Sequence, residues 1–213
     1  MKRTVYQILA TVFGVVLILV GIGALAGANF AHGYVHDQLS QEQITMPGGP
    51  ALESRLRDGS KEKLEPFAGQ PMTTGPQAEA YANNFIYDHM LASCGSVTDA
   101  NGNPVDPIPA DKCTYAGIGD VANAARDAGD TDAQAAYNAA RDSNFRGSTL
   151  RSMLLTAYGF SILGAIAKWV GIGALVVGAL LLVLRFTVLN KPETAPAVAK
   201  TSTGRGSTPV AHE

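Results

Sequence analysis

Hydrophobic positions along this chain follow two regimes. In two stretches apolar residues run almost without interruption; between them they recur at helical spacing among charges and turn residues. From Thr4 to Ala31 there is no Asp, Glu, Lys or Arg, and Ile8–Ala28 is nearly all Ile, Leu, Val, Ala, Gly and Phe. About 20 such residues cross a hydrocarbon core of about 30 Å as a helix. The second stretch runs from Met153 to Leu189, with its strongest part at Val170–Leu184. Lys168 and Trp169 read as an interfacial anchor, the ring at headgroup level and the ammonium reaching outward. Arg185 and Lys191 close the other end. Small residues at i,i+4, Gly23 with Gly27 and Ala174 with Gly178, allow close helix approach, so these four are the expected packing positions, of the spans on each other or on a partner.

The intervening segment reads mostly helical. Thr74-Gly75-Pro76-Gln77 has the form of a capping box with an early Pro. It opens Gln77–Ser93, where Ala78, Tyr81, Ala82, Phe85, Ile86 and His89 follow helical spacing. Asp120–Ala128 is a short Ala-rich candidate, and Thr131 with Gln134 repeats the capping pattern. Gly147-Ser148 is expected to interrupt, with Ser148 capping a final helix that carries Leu150, Leu154 and Tyr158 on one face. The first helix is expected to project through Leu39. Met46–Thr73, with its Pro, Gly and charges, reads as extended linker, with Ile44-Thr45-Met46 strand-like.

The resulting fold class is mainly α: two transmembrane helices flanking a small, mostly helical extracytoplasmic domain with a disulfide-closed loop. The expected divisions are a cytoplasmic N-terminus (1–7), the first span (8–31), the extracytoplasmic domain (32–152), a juxtamembrane helix with the second span (153–189) and a disordered cytoplasmic tail (190–213). The tail is rich in Pro, Thr, Ser, Ala and Gly and cannot bury enough surface to offset ordering. Its Thr201, Ser202, Thr203, Ser207 and Thr208 are candidate phosphorylation sites.

Composition agrees. Only 16% of the 213 residues are charged, against about 25% in soluble domains. That excludes a simple soluble enzyme. A net charge of −2 and a pI near 6.1 exclude a nucleic-acid binder. His32–Ser152 holds 16 Asp/Glu against 9 Lys/Arg, whereas Lys2, Arg3, Arg185, Lys191, Lys200 and Arg205 flank the spans on their terminal sides. The positive-inside rule then puts both termini in the cytoplasm of a plasma-membrane protein. Ala26-Gly27-Ala28 also matches a signal-peptidase site, so cleavage of the first stretch stays open, although its apolar run exceeds the usual h-region.

The two cysteines, Cys94 and Cys113, read as one disulfide in an oxidising compartment. Between them Asn101-Gly102 is a strong turn signal, and Val97-Thr98 can pair with Val105. Asp99, Asn101 and Asn103 share the start of a calcium loop, but Pro104 stands where an EF-hand needs Gly and Ala110 where it needs Glu. His32 and His36, at i,i+4, share a helix face, the spacing of a zinc or iron site, with His89, Asp88 or Asp37 as third ligand. No nucleophile elbow, Walker loop or dinucleotide fingerprint is present, so no catalytic residue and no cofactor beyond a candidate metal is assigned.

Two stretches carry a resemblance. Phe67-Ala68-Gly69-Gln70-Pro71-Met72-Thr73-Thr74-Gly75-Pro76-Gln77-Ala78-Glu79-Ala80-Tyr81-Ala82-Asn83 is followed by His89. The second is Asn144-Phe145-Arg146-Gly147-Ser148-Thr149-Leu150-Arg151-Ser152-Met153-Leu154-Leu155-Thr156-Ala157-Tyr158-Gly159. With the two spans they resemble a bacterial two-span membrane protein family of unknown function, some members of which carry the label "aromatic ring-opening dioxygenase LigA". The label implies a metal site with open positions, for which the chain offers His32 and His36. Three functions follow as expectations. The first is a non-catalytic integral membrane protein whose exported domain binds or supports a membrane or envelope protein, or a second copy. The second is an extracytoplasmic metal-dependent enzyme, and the third a membrane sensor.

Overall fold

The computed structural model describes residues 2–53 and 56–187; the expected tail 190–213 lies outside them. Helix α1 spans Lys2–Gln41 and helix α6 spans Thr131–Thr187. Both are long and apolar enough to cross a membrane. Between them come a 3-10 turn at Gly49–Leu52, α2 (Ser60–Leu64), a 3-10 turn at Glu65–Phe67, α3 (Gly75–Tyr81), a π turn (Ala82–Ile86), α4 (Tyr87–Cys94), a 3-10 turn at Ala110–Lys112 and α5 (Tyr115–Asp127). Among the described residues there are no strands, only isolated bridges at Thr45–Pro71 and Thr98–Pro104.

The dominant contact is α1 along α6. Its register is set by glycines seven residues apart. A Cβ on Gly14 would lie 2.9 Å from Leu182 Cδ2, and one on Gly21 would lie 2.7 Å from Leu175 Cγ. In return, a Cβ on Gly171 would meet Leu25 Cγ at 3.0 Å, and one on Gly178 would meet Ile18 Cγ1 at 2.9 Å. Each helix thus alternates a glycine hole with a large knob, in antiparallel register. Seven residues is the repeat of a left-handed coiled coil, applied here with glycine so that the backbones nearly touch. A Cβ on Gly178 would stand 2.8 Å from the Gly14 carbonyl oxygen.

Within the chain, two of the four expected packing positions lie off this seam. Gly23 and Gly27 have nothing within 4 Å of a built Cβ and face away from α6. Gly178 is in the seam, with Gly171 and Gly164 at i−7 and i−14, and the half-buried Ala174 lies between Gly171 and Gly178. Spacing of four is compatible with the seam, as Gly14 with Ile18 and Gly21 with Leu25 show; Gly23 and Gly27 miss it because they lie two and six residues past Gly21, on the far side of α1.

Beyond the seam a helical head is built on the upper part of α6. One core cluster joins Val35 and Leu39 of α1 to Met46, Leu52, Leu64, Met72, Ile86 and Leu154. Met46–Thr73 is therefore not an extended linker. Met46, Leu64 and Met72 are fully buried, and the segment closes on itself through Met46 N–H to Gln70 O (2.8 Å) and Met72 N–H to Ile44 O (2.8 Å). A second cluster joins Cys94, Val97, Ile108, Cys113, Ile118, Ala136 and Tyr137. Helix α5 begins five residues before the expected Asp120, because Thr114 caps it through Gly117 N–H (3.1 Å).

The expected break at Gly147-Ser148 is absent, and α6 is one helix of 57 residues, about 85 Å long at 1.5 Å per residue. Gly147 serves packing: a Cβ there would lie 2.9 Å from Met90 Sδ. The Ser148 hydroxyl donates back to Phe145 O (3.0 Å) and caps nothing. Tertiary packing overrides the local breaker signal.

Gly21→Leu should overpack the seam and lower stability by about 1–3 kcal/mol. Gly23→Leu should be neutral or mildly stabilising, since Leu favours helix over Gly. Denaturation midpoints of both variants in detergent micelles check this.

Candidate functional site

The head carries three polar or aromatic constellations, and each is positioned by a local feature of the chain. The capping box at Thr74 starts the first. Buried Gln77 accepts at Oε1 from Thr73 N–H (2.9 Å) and Thr74 N–H (3.0 Å) and donates through Nε2 to Gln70 Oε1 (3.2 Å). The π turn that follows inserts one residue into the helix. Asn83, within it, receives the Arg151 guanidinium at Oδ1 (2.8 Å) and donates through Nδ2 to Glu79 (2.7 Å). Its carbonyl accepts from Arg57 Nη2 (3.2 Å).

One turn on, Asp88 is 1% exposed. Burial raises its carboxyl, but the Ser60 hydroxyl, the Arg57 N–H and the Arg57 guanidinium outweigh this and hold it below the usual carboxylate range. The Tyr87 ring lies 4.8 Å from the Arg57 guanidinium and 5.0 Å from that of Arg151. This cluster ties the Arg57–Ser60 segment to α4 and α6. It positions the head, and every oxygen of Asp88 that a metal would need is already engaged.

The second constellation surrounds the disulfide. Cys94 and Cys113 are bonded, with Cα atoms 5.9 Å apart. Closing about 20 residues this way contributes about 3 kcal/mol by chain-entropy arguments. The enclosed segment turns back as expected, with Val105 N–H donating to Val97 O (3.1 Å). Asp99 builds the turn: its oxygens accept from Asn101 N–H (2.9 Å), Asn103 N–H (2.8 Å) and Asn103 Nδ2 (3.0 Å). The Asn103 donors keep its carboxyl below the usual range. Asp99 thus closes an Asx turn, which accounts for the D-x-N-x-N pattern. Between this hairpin, α4 and α6 lies an open cleft of about 500 Å³ that His89, Ser93 and Asn144 help to line.

The third constellation is on the surface. Arg141 sits 3.9 Å above the Tyr115 ring and donates through Nε to Tyr115 O (3.1 Å). Phe145, one turn along α6, meets Tyr115 at 5.7 Å between ring centroids. Tyr115 is 47% and Phe145 55% exposed. The aromatic pair was not legible in the sequence, because Tyr115 and Phe145 are far apart in the chain and neither lies in a motif.

The three candidate metal ligands do not converge. His32 Nδ1 bonds Ala28 O (2.9 Å), and the ring takes a knob position, 3.0 Å from where a Cβ on Gly164 would stand. His36 faces its neighbour Asp37 at 3.3 Å. His89 donates to Phe85 O (2.8 Å) and lies against the Phe85 ring at 4.2 Å, in the head. Among the described residues no three His, Cys, Asp or Glu side chains form a metal-binding group. The i,i+4 spacing of His32 and His36 supplies one helix face and no third element to complete it. Lys168 and Trp169 are both exposed, Trp169 at 72%.

No known protein family, curated protein or solved structure matches this chain.

The depressed Asp88 carboxyl contributes stability above its ordinary range that is lost as pH falls through its folded value. Asp88→Asn should cost about 2 kcal/mol at neutral pH. The gap from the native chain should narrow as pH falls below the ordinary carboxylate range, where the native carboxyl also takes up a proton. Paired denaturation curves at pH 7 and at low pH test it.

Proposed function

We propose that the chain is a two-span plasma-membrane protein with both termini cytoplasmic, whose helical head stands outside and docks a membrane or envelope protein. Charge distribution supports the orientation, and the two long apolar helices support the membrane. Aromatic residues cluster toward both ends of the hairpin. Tyr6 and Phe186 lie at one end; toward the other, Tyr34 contacts Phe30 (6.1 Å) and Phe160 (6.4 Å). Tyr6 and Phe30 are about 36 Å apart along α1 at 1.5 Å per residue. That fits aromatic belts at the two interfaces of a bilayer about 40–45 Å thick with its headgroups. By the Gly21–Gly171 pairing, Trp169 lies level with Gly23, about 10 Å inside the outer belt, so Lys168 acts as an anchor by extending its stem outward to the headgroups. The resemblance of 67–83 and 144–159 to a two-span family belongs to the same reading.

The observation that carries the docking role is the Tyr115–Arg141–Phe145 patch. Exposed aromatics with a stacked arginine are the residues that dominate protein interfaces. Arg141 and Phe145 sit on α6, the same helix that enters the membrane, and Tyr115 at the start of α5 packs against them, so a docked partner is held at a fixed height and angle.

Lys112 is exposed near this patch, and a membrane-impermeant amine cross-linker on intact cells should join it to one recurring protein. Phe145→Ala should reduce that adduct at least tenfold, the loss of one aromatic hot spot of about 2 kcal/mol. Adducts that form only after the membrane is opened would overturn the orientation. Absence of any recurring adduct in either state would overturn the docking role.

A further inference from the structure

We propose that the cleft between α4, the disulfide-bound hairpin and α6 binds a small uncharged molecule that donates hydrogen bonds and carries an apolar ring or chain. The cleft exists because α6 presents small residues there. Ala136, Ala139, Ala140 and Ser143 face Ile86 and Val97 across about 500 Å³ that no side chain of the head fills. The cleft opens to solvent, and its volume lies in the range of small-molecule sites.

Its chemistry is one-sided. No Asp, Glu, Lys or Arg lines it, so a charged ligand would lose its hydration without gaining a counter-charge. Most of the polar protons around it are engaged within the protein. The Ser93 hydroxyl donates to His89 O (2.8 Å), and the Ser96 hydroxyl to Ala92 O (3.0 Å). The His89 Nδ1–H donates to Phe85 O (2.8 Å), and the Asn144 amide to Cys113 O (3.5 Å). What these groups keep is acceptor capacity: the hydroxyl lone pairs of Ser93 and Ser96 and, in the neutral ring, Nε2 of His89. Thr98 and Ser143 add hydroxyls that can orient either way. A ligand that brings its own N–H or O–H meets more partners among these side chains than one that only accepts, to which Thr98 and Ser143 are the hydroxyls able to donate.

Indole and N-methylindole differ by that one proton and serve as probes. Each is titrated by calorimetry into the full-length protein in lipid nanodiscs, with empty nanodiscs as reference. Indole should bind saturably at one site, and N-methylindole at least tenfold more weakly, the loss of one hydrogen bond of about 1.4 kcal/mol. Ala139→Trp, at an exposed lining position, should abolish indole binding while thermal unfolding and the disulfide stay native. Ala124→Trp, on α5 in a separate cleft, should leave binding unchanged. Equal binding of the two probes would overturn the donor argument. No saturable indole binding, or binding that survives Ala139→Trp, would overturn the site.

Discussion

Everything in this molecule hangs on how closely α1 and α6 approach. Two apolar helices in lipid gain little from hydrophobic burial, because the surrounding chains are as apolar as their own side chains. What holds them is packing, and packing needs holes. Gly14 and Gly21 on one helix and Gly164, Gly171 and Gly178 on the other supply them, with Leu25, Ile18, Leu175 and Leu182 as the filling knobs. Above Gly164 the filling knob is His32, so the seam ends in a polar ring where the head begins.

The seam fixes the start of the head. Val35 and Leu39 continue α1 past the last glycine contact and enter the first core cluster with Leu154 of α6. Where α3 begins, Gly75 abuts α6 so closely that a Cβ would lie 2.3 Å from Ser161 Cβ. From there the chain is tied in twice more, by the Asp88–Arg57 pair and by the disulfide. Because α6 is unbroken, Arg141 and Phe145 of the surface patch and the Ala136–Ser143 wall of the cleft lie on one continuous helix.

Much of this was legible in residue patterns. The two long apolar helices, the capping box at Thr74, the Cys94–Cys113 bond and the turn at Asn101-Gly102 each depend on nearby residues, and local chemistry decides them. Features that depend on a partner helix were not legible. Gly23-x-x-x-Gly27 matches a packing motif, yet which face of α1 meets α6 is set by the knobs opposite Gly14 and Gly21. Gly147 looks like a helix breaker until Met90 is placed beside it. Met46 and Met72 look like linker residues because the bridge between Thr45 and Pro71 that buries them joins positions far apart in the chain. The site followed the same rule: His32 and His36 were found by spacing, while the Tyr115–Phe145 pair and the cleft appear only once α5, the hairpin and α6 are assembled.

The register of the seam is the central claim, and engineered cysteines in lipid vesicles test it most directly. Leu25→Cys with Gly171→Cys should form an intramolecular disulfide rapidly on mild oxidation, seen as a gel-mobility shift reversed by reductant. Gly27→Cys with Ala174→Cys, the pair that the four-residue motifs would bring together, should not. Cross-linking of the second pair, or failure of the first, would contradict the account.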